Sequence, residues 1–379
     1  MYNSYLWEKF ELCEVFRMMT ENNEKKVAPA TLKDISARLN ISATSVHRAL
    51  TGKEGISDSL RELILATAQE MGYEKNYVAS SIKRKAIRIA VILPRDQGLY
   101  FQHIWRGLRQ NADDVRALNV EVEEYVCNDE NHQAEQVKMI ADAGPGKYAG
   151  VITFCYANSS KMLYQILRLL SMNICTVLID DELNEIEGVH SIPANAKVLG
   201  EVAAEFGAMI TPEQGTVLVS QGRTDSHILV NKIKAFRDYM AAHKPGVQVK
   251  EVPGFSRKPE MDDLVYQSIR QALMDHPDTV LYYALTSADN KYVVRAVEEL
   301  GLQHQVSIIA TDLNRESAQY LRDGKVKAVI NQGAYAKGVA SMNLMIDCVV
   351  KHQEAPQRFN CPIDVVLKSN LRFYEGKNK

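Results

Sequence analysis

The chain has 379 residues, enough for two or three domains with hydrophobic cores of their own. Hydrophobic residues make up 46% and charged residues 24%, a balance that excludes a largely disordered protein. No stretch has the ~18 uncharged apolar residues of a membrane helix. Glu8, Lys9, Glu11 and Glu14 interrupt the apolar run that a secretory signal needs. We therefore expect a cytoplasmic protein without a membrane segment.

Six cysteines are scattered along the chain, and none belongs to a C-x-x-C pair or lies near a spaced pair of histidines. This distribution favours reduced thiols over a disulfide framework, and it predicts no metal site.

The net charge of −2 is unevenly divided. Residues 25–88 hold twelve Lys/Arg and six Asp/Glu, so this segment carries +6 and the remainder −8. A basic face on a small domain is typical of phosphate binding, although a solvated charged surface has the same composition.

Three short helices are predicted in the basic segment, because Thr31, Ser42 and Ser57 are N-cap residue types followed by apolar residues at helical spacing. Asn40-Ile41 makes a short turn between the first two, and Gly72 ends the third. Two helices joined by a tight turn with a third in support indicate a helix-turn-helix. A three-helix bundle that binds protein would show the same pattern.

The second helix is expected to present polar side chains that reach base edges and phosphates from a major groove. Arg48 suits a bidentate contact with guanine, and the hydroxyls of Ser42 and Ser45 suit phosphate. The outward positions are Ala43, Thr44, Ser45, His47 and Arg48.

Segments 31–36, 41–50 and 72–76 resemble the head of the lactose-repressor (LacI/GalR) family of transcription regulators. The family pattern is Ser-x-x-Thr-Val-Ser-Arg-x-Leu followed by Gly-Tyr-x-Pro-Asn. This chain has Ser45 for the Thr, His47 for the second Ser and Lys75 for the Pro. Because His47 changes a contact position, the operator sequence is not carried over.

The resemblance implies a hinge helix after the head, which folds on DNA and inserts Ile82 into the minor groove beside Lys83. A flexible basic linker is the alternative. The DNA-binding residues implied in all are Thr31, Ser42, Ala43, Thr44, Ser45, His47, Arg48, Asn76, Tyr77, Ile82 and Lys83.

Apolar runs alternate with helical stretches from residue 88 onward, which predicts an α/β fold with doubly wound parallel sheets. Two groups of four strands suggest two similar lobes with a ligand cleft between them. The predicted strands are Ile89–Leu93, Val120–Val126, Gly150–Phe154, Cys175–Ile179, Thr216–Ser220, Val247–Val252, Thr279–Ala284 and Val306–Thr311.

This body resembles the periplasmic-binding-protein-like, sugar-binding effector domain of the same family. Carboxylates and amides at strand ends would bind hydroxyls, and the ring of Phe255 would stack on a sugar face. Thr286-Ser287 replace the family's Asn-Asp. Arg95 and Arg223 are interpreted first as members of surface ion pairs, and the alternative is that they bind an acidic or phosphorylated sugar. The effector residues predicted are Asp96, Gln97, Tyr100, Phe101, Asp180, Arg223, Phe255, Thr286, Ser287, Asp312 and Gln332.

No nucleotide-binding, hydrolase or metalloprotease motif is present, so we expect neither an enzyme nor a cofactor. Asp180-Asp181 and Asp262-Asp263 are interpreted as helix caps or solvated acids. The alternatives are a cytoplasmic sugar-binding protein without specific DNA binding, a transport solute-binding protein and an enzyme on a doubly wound fold.

The predicted organisation is an extension (1–28), a helix-turn-helix head (29–74), a hinge (75–87) and an effector-binding and dimerisation body (88–379). We expect a homodimer on double-stranded operator DNA, switched by a small sugar-like effector. Residues 104–117 are the predicted dimer contact. Met18 or Met19 is an alternative start of the chain. The C-terminal residues contain no heptad repeat, so we do not expect a C-terminal coiled coil that forms a tetramer.

Overall fold

A computed structural model describes residues 30–73, 77–81, 84–94, 98–154, 160–181, 186–222, 226–253 and 261–374. The chain divides into two compact units, Met1–Ala79 and Ser80–Lys379. None of the helices in the described ranges is long and apolar enough to cross a membrane.

The first unit contains the three predicted helices, α1 (Leu32–Leu39), α2 (Ala43–Leu50) and α3 (Asp58–Glu70). Thr31 and Asp34 form a capping box at α1. The core consists of Ile35, Val46, Ala49, Ile64 and Ala68. Leu63, which the helical spacing places near the core face, is instead 52% exposed.

A five-residue helix, α4 (Tyr77–Ser81), lies at the junction of the two units. Within the second unit, the Ser81 hydroxyl donates to the Ala117 carbonyl at 2.9 Å, and Arg84 donates to the Leu118 carbonyl. These bonds fix the start of the second unit against the end of a helix of its first lobe.

The first lobe has a five-stranded sheet, parallel throughout, in the spatial order β2-β1-β3-β4-β5. Its strands are β1 (Ile87–Leu93), β2 (Val120–Val126), β3 (Gly150–Thr153), β4 (Cys175–Asp180) and β5 (Val189–Pro193). Its helices are α5 (Gly98–Leu108), α6 (Ala112–Ala117), α7 (Glu130–Ala143) and α8 (Ser160–Ser171).

The second lobe has a six-stranded sheet in the order β11-β10-β9-β8-β6-β7, and only β11 runs antiparallel to its neighbour. The strands are β6 (Gly215–Ser220), β7 (Val247–Val252), β8 (Thr279–Tyr283), β9 (Ser307–Thr311), β10 (Ala328–Asn331) and β11 (Asp364–Val366). The helices are α9 (Ala196–Ile210), α10 (His227–His243), α11 (Asp262–Asp275), α12 (Asn290–Glu299) and α13 (Arg315–Arg322).

The chain crosses between the lobes three times: after β5, after β10 and before β11. Between the last two crossings lies α14 (Ala334–Ile346), which packs on α5, β3 and β4 of the first lobe and continues into a π-helical turn, Asp347–Lys351. At the third crossing, Ser191 pairs with the chain around Arg358. The prediction of two parallel lobes is confirmed, whereas β5, β10, β11 and the return of α14 to the first lobe were not predicted.

Candidate functional site

The second helix of the head exposes the predicted row, with Ala43, Thr44, His47 and Arg48 exposed and Ser45 half-buried. Ser42 caps this helix: its hydroxyl accepts the Ser45 amide at 3.1 Å and pairs with the Ser45 hydroxyl at 2.9 Å. The two serines predicted to contact phosphate therefore also hold the end of α2 that would face DNA.

Arg61, on α3, was missed as a functional residue. Its guanidinium donates to the carbonyls of Arg48 and Ala49 at 3.3 Å each and to that of Lys53 at 2.7 Å. These carbonyls lie at the C-terminal end of α2 and in the turn after it, so Arg61 anchors that helix to α3.

The net positive charge of the basic segment lies on the two flanks of the three helices and not on the helices themselves. Residues 30–73 contain five Lys/Arg and five Asp/Glu, so the surplus of the basic segment comes from its two flanks. Of the linker residues predicted to bind DNA, Tyr77 starts α4, whereas Asn76, Ile82 and Lys83 lie outside the described residues.

A buried ion pair forms at the carboxyl end of β4. The Lys337 ammonium, on α14, donates to Asp180 Oδ1 at 2.5 Å, and the Tyr100 hydroxyl donates to the same carboxylate at 2.7–2.8 Å. The side chains of Lys337 and Asp180 are only 2% and 11% exposed. Burial beside Asp180 and Asp312 raises the pKa of Tyr100 well above its usual value. Asp180 and Tyr100 were predicted as site residues; Lys337 was not.

Asp312 occupies the corresponding strand end in the second lobe, just after β9, in a left-handed conformation with φ of 61°. Gln332 donates to Asp312 Oδ2 at 3.1 Å, which brings together two predicted effector residues. Among the described residues, Oδ1 is buried without a hydrogen-bond partner. Burial raises the pKa of Asp312, against the attraction of Lys232 and Lys337. Asp312 Oδ1 can therefore accept a hydrogen bond from a ligand.

A second buried cation lies behind Asp312. Lys232, on α10, donates to the Leu285 carbonyl at 2.8 Å and is 2% exposed. Burial lowers its pKa to about 8, whereas the charges of Asp312 and Asp289 act in the opposite direction. Burial also raises the pKa of Asp289 to about 7. The pKa values of Lys232 and Asp289, beside the predicted site, therefore lie close to neutral pH.

The Thr286-Ser287 pair lies in the described loop after β8 and is half-buried. The Thr286 hydroxyl donates to Asp289 Oδ2 at 2.9 Å, so its proton already takes part in a hydrogen bond. Asn290 then bonds both the amide and the carbonyl of Thr311, which positions the end of β9 next to Asp312. Thr286 therefore supports the loop and leaves its lone pairs for a ligand.

Two cavities adjoin the strand ends. One, of 380 Å³, is lined by Tyr100 from the first lobe and by Asp312 and Asn314 from the second. The other, of 890 Å³, is lined by Asp180, Lys197, His227 and Arg358 among others. Both volumes are within the usual range for small-molecule sites. The first is the relevant one for the acceptor at Asp312, because that residue borders it.

Of the remaining predicted effector residues, the structure describes Phe101. The Phe101 ring packs edge-on against Tyr100, with centroids 5.4 Å apart, and at a tilt against Phe154, with centroids 4.9 Å apart, so it adds aromatic surface next to Tyr100. Asp96, Gln97, Arg223 and Phe255, together with Arg95, lie outside the described residues.

The interpretation of Asp180-Asp181 as solvated acids or caps is wrong. Both residues lie in the interior, and Asp181, 1% exposed, faces the His227 imidazole of α10 at 3.5 Å. Asp262 and Asp263 do lie in the first turn of α11, where a carboxylate complements the helix dipole.

Sequence reasoning missed Lys232, Asp289 and Lys337. For Lys337 a signal was available, because it is the one lysine among the small and apolar residues of Ala334–Ile346. A cation in such a run has to lie in the core with a partner.

Comparison with known proteins agrees with the two-lobed fold. Residues 89–353 match the periplasmic binding protein domain, so the chain belongs to that family. It is 29% identical to the transcriptional repressor CytR of Escherichia coli K12 over 120 residues, which cover 31% of this chain and only 33% of that protein. The repressor PurR of Proteus mirabilis is 20% identical over 347 residues, covering 86% of this chain and 93% of PurR. A periplasmic solute-binding protein of Actinobacillus succinogenes with bound D-allose has a TM-score of 0.67, 15% identity and coverage of 76% and 100%.

The helix-turn-helix head followed by this two-lobed domain, with the repressors CytR and PurR among the similar proteins, agrees with the resemblance to LacI/GalR-type regulators that the sequence indicates.

Proposed function

We propose that this protein regulates transcription, binding an operator through its head and a sugar-like effector through its body. One observation carries the proposal: a single chain combines a helix-turn-helix that has an exposed polar face with an interlobe cavity bordered by an unpartnered carboxylate oxygen.

The head would read DNA through α2. Thr44, His47 and Arg48 would face base edges, with the Arg48 guanidinium donating to guanine O6 and N7. The basic flanks would neutralise phosphates, since the helices themselves are electrically balanced. In this proposal Asn76, Tyr77 and Lys83 contact the backbone, and Ile82 enters the minor groove.

The body would take a polyhydroxyl ligand. Asp312 Oδ1 lacks a donor among the described residues, and a sugar hydroxyl supplies one. Gln332 and Thr286 add amide and hydroxyl groups, and Phe101 supplies an apolar face. The likeness to the D-allose-binding protein, at 15% identity, concerns the fold. The predicted residues Asp96, Gln97, Arg223 and Phe255 would complete the site.

Coupling would run through the interlobe contacts. Tyr100 belongs to the first lobe and Asp312 to the second, and a ligand between them favours the lobe arrangement in which both bind it. In a dimer on two half-sites, this shift alters the affinity for DNA by linkage. The predicted dimer contact, residues 104–117, includes Ile104 and Leu108, whose side chains are buried within the chain, so a partner would have to use the outer face of that segment.

DNA reading is tested by selecting binders from random duplex DNA with the parent and with Arg48→Ala and Arg61→Met. The parent should enrich one sequence, and Arg48→Ala should lose that preference, about 1–3 kcal/mol of discrimination. Arg61→Met should weaken binding to all sequences without changing the preference. An unselective parent would support the alternative, a sugar-binding protein without specific DNA binding.

Effector binding is tested by thermal shift against neutral sugars, sugar acids and sugar phosphates. A ligand at 100 times its Kd adds about 2.7 kcal/mol. Asp312→Asn should lose the shift, and Asp323→Asn, an exposed carboxylate in the same lobe, should keep it. No shift with any compound would contradict the sugar assignment. A ligand found in this way can then be added to the DNA assay to give the sign of regulation.

A further inference from the structure

We propose that Cys175, His190 and Cys348 form a binding site for a zinc-type, thiophilic divalent metal ion. The three residues are far apart in the sequence, so the spacing rules for metal motifs give no indication of the site. They come together on the first lobe: Cys175 begins β4, His190 lies on the adjacent β5, and Cys348 lies in the π-helical turn after α14.

The donor atoms are already close to coordinating distance. The two Sγ atoms and a ring nitrogen all lie within 4.8 Å of one another, and His190 Nε2 is 3.4 Å from Cys348 Sγ. Tetrahedral Zn²⁺ with bonds of about 2.0–2.3 Å sets its ligands ~3.6–3.8 Å apart. Small side-chain rotations would therefore suffice to bind an ion.

His190 is oriented as a ligand. Its Nδ1 lies 3.0 Å from the Pro356 carbonyl oxygen, which can only accept, so Nδ1 carries the proton. In the neutral ring the lone pair is then on Nε2, the nitrogen that faces Cys348. Metal-binding histidines are commonly held by such a bond from the other ring nitrogen to a carbonyl.

The donor set and its exposure define the kind of ion. Two sulfurs and one imidazole select a thiophilic transition ion over Mg²⁺ or Ca²⁺. All three residues are partly exposed, so an ion can enter and water can fill a fourth position. The π-turn that presents Cys348 is a feature common at functional sites.

A bound ion would join three elements at one point: β4, β5 and the end of α14. Through the bond from His190 to Pro356 it would also restrain the third crossing between the lobes, where Ser191 pairs with the chain at Arg358. Metal binding is thus expected to stabilise the first lobe against unfolding.

The test uses the untagged, reduced full-length protein titrated with Co²⁺ and then with Zn²⁺. We expect one Co²⁺ per chain with a thiolate-to-metal charge-transfer band, and displacement by Zn²⁺ with a rise in the unfolding temperature. Cys348→Ala and His190→Gln should lose more than tenfold in affinity. The matched control is Cys127→Ala, which removes a cysteine outside the cluster and should match the parent.

The circular dichroism and unfolding temperature of each metal-free variant identify a variant that fails to fold, and the remaining ligand variant then decides. The proposal is overturned if the reduced parent shows no charge-transfer band, or if Cys348→Ala binds Co²⁺ as the parent does. It is also overturned if the reduced thiols bind no metal and mild oxidation converts Cys175 and Cys348 to a disulfide.

Discussion

At the scale of single residues, the pair of Lys337 and Asp180 combines two charges in a place nearly inaccessible to water. Such a pair contributes little compared with apolar residues of the same size, but removing one partner leaves the other charge unpaired. Tyr100 reduces that cost only in part, because it donates a single hydrogen bond to the carboxylate.

Lys337→Met should therefore lower the free energy of unfolding by about 3–5 kcal/mol. The measurement is urea denaturation at neutral pH. Lys138→Met is the matched control, since Lys138 forms an exposed pair with Asp142 and should change stability by less than 1 kcal/mol. The double variant Lys337→Met/Asp180→Asn should regain part of the loss. If Lys337→Met and Lys138→Met changed the free energy of unfolding equally, burial would not be the cause of the effect.

Asp289 gives the protein a pH-dependent stability. Burial raises its pKa to about 7, so the native state binds a proton that the unfolded state releases above about pH 4. The stabilisation is complete below pH 4 and is lost as the pH rises to 7. Between these values, the unfolding free energy of the parent relative to Asp289→Asn should fall by roughly 4 kcal/mol.

The matched control has the opposite sign. Ion pairing with Lys138 and Arg168 lowers the pKa of Asp142, so its contribution is present at neutral pH and is lost on acidification. Denaturation curves of Asp289→Asn and Asp142→Asn from about pH 2 to 8 provide the comparison, because the Asp142 contribution is lost only below about pH 4. A pH-independent difference for Asp289→Asn would contradict the raised pKa.

At the scale of elements, the contact between α5 and α14 depends on two glycines. A methyl group built on Gly107 would overlap the Tyr335 carbonyl, and one on Gly338 would overlap the Ile104 carbonyl. The two backbones thus approach more closely than side chains allow. This contact positions both Tyr100, near the start of α5, and Lys337, the neighbour of Gly338.

Gly338→Ala should force the helices apart and cost about 1–3 kcal/mol, despite the better helix propensity of alanine. Gly146→Ala, at a position with open space around it, should stay within about 0.5 kcal/mol. Denaturant midpoints of the two variants decide the matter. If Gly338→Ala stabilised the protein, the close approach of the helices would be wrong.

The elements also show what could be predicted from sequence. The starts of α1, α2 and α3 were predictable because a cap is a local interaction, as at Thr31 and Asp34. The strand β11 was missed because it has only three residues, and β5 was missed because it ends at Pro193, a residue type that argues against a central strand. The positions of Asp180 and Asp312 at the sheet edges were predictable because strand ends meet at one edge of each sheet. Lys337, which donates to Asp180, and Lys232, whose charge acts on Asp312, come from distant helices, and no local pattern links them to these carboxylates.

At the scale of the whole molecule, the head and the body are separate compact units with separate cores. In the described residues, the hydrophobic core of the head has five buried side chains, so its stability should be low compared with that of the body. We therefore expect two transitions in calorimetry. A sugar at 100 times its Kd should raise the body transition by roughly 5 °C and leave that of the head unchanged. A single transition that moves as one would contradict this independence.

The late return of α14 to the first lobe has a consequence for synthesis on the ribosome. Ile104 and Trp105 of α5 are made more than 220 residues before the helix that covers them. Until residue 346 has emerged, the nascent chain exposes an apolar surface that a chaperone could bind. The second lobe, although translated later, completes its five parallel strands by Asn331. The order of folding in the cell should thus be the reverse of the order of the lobes along the message.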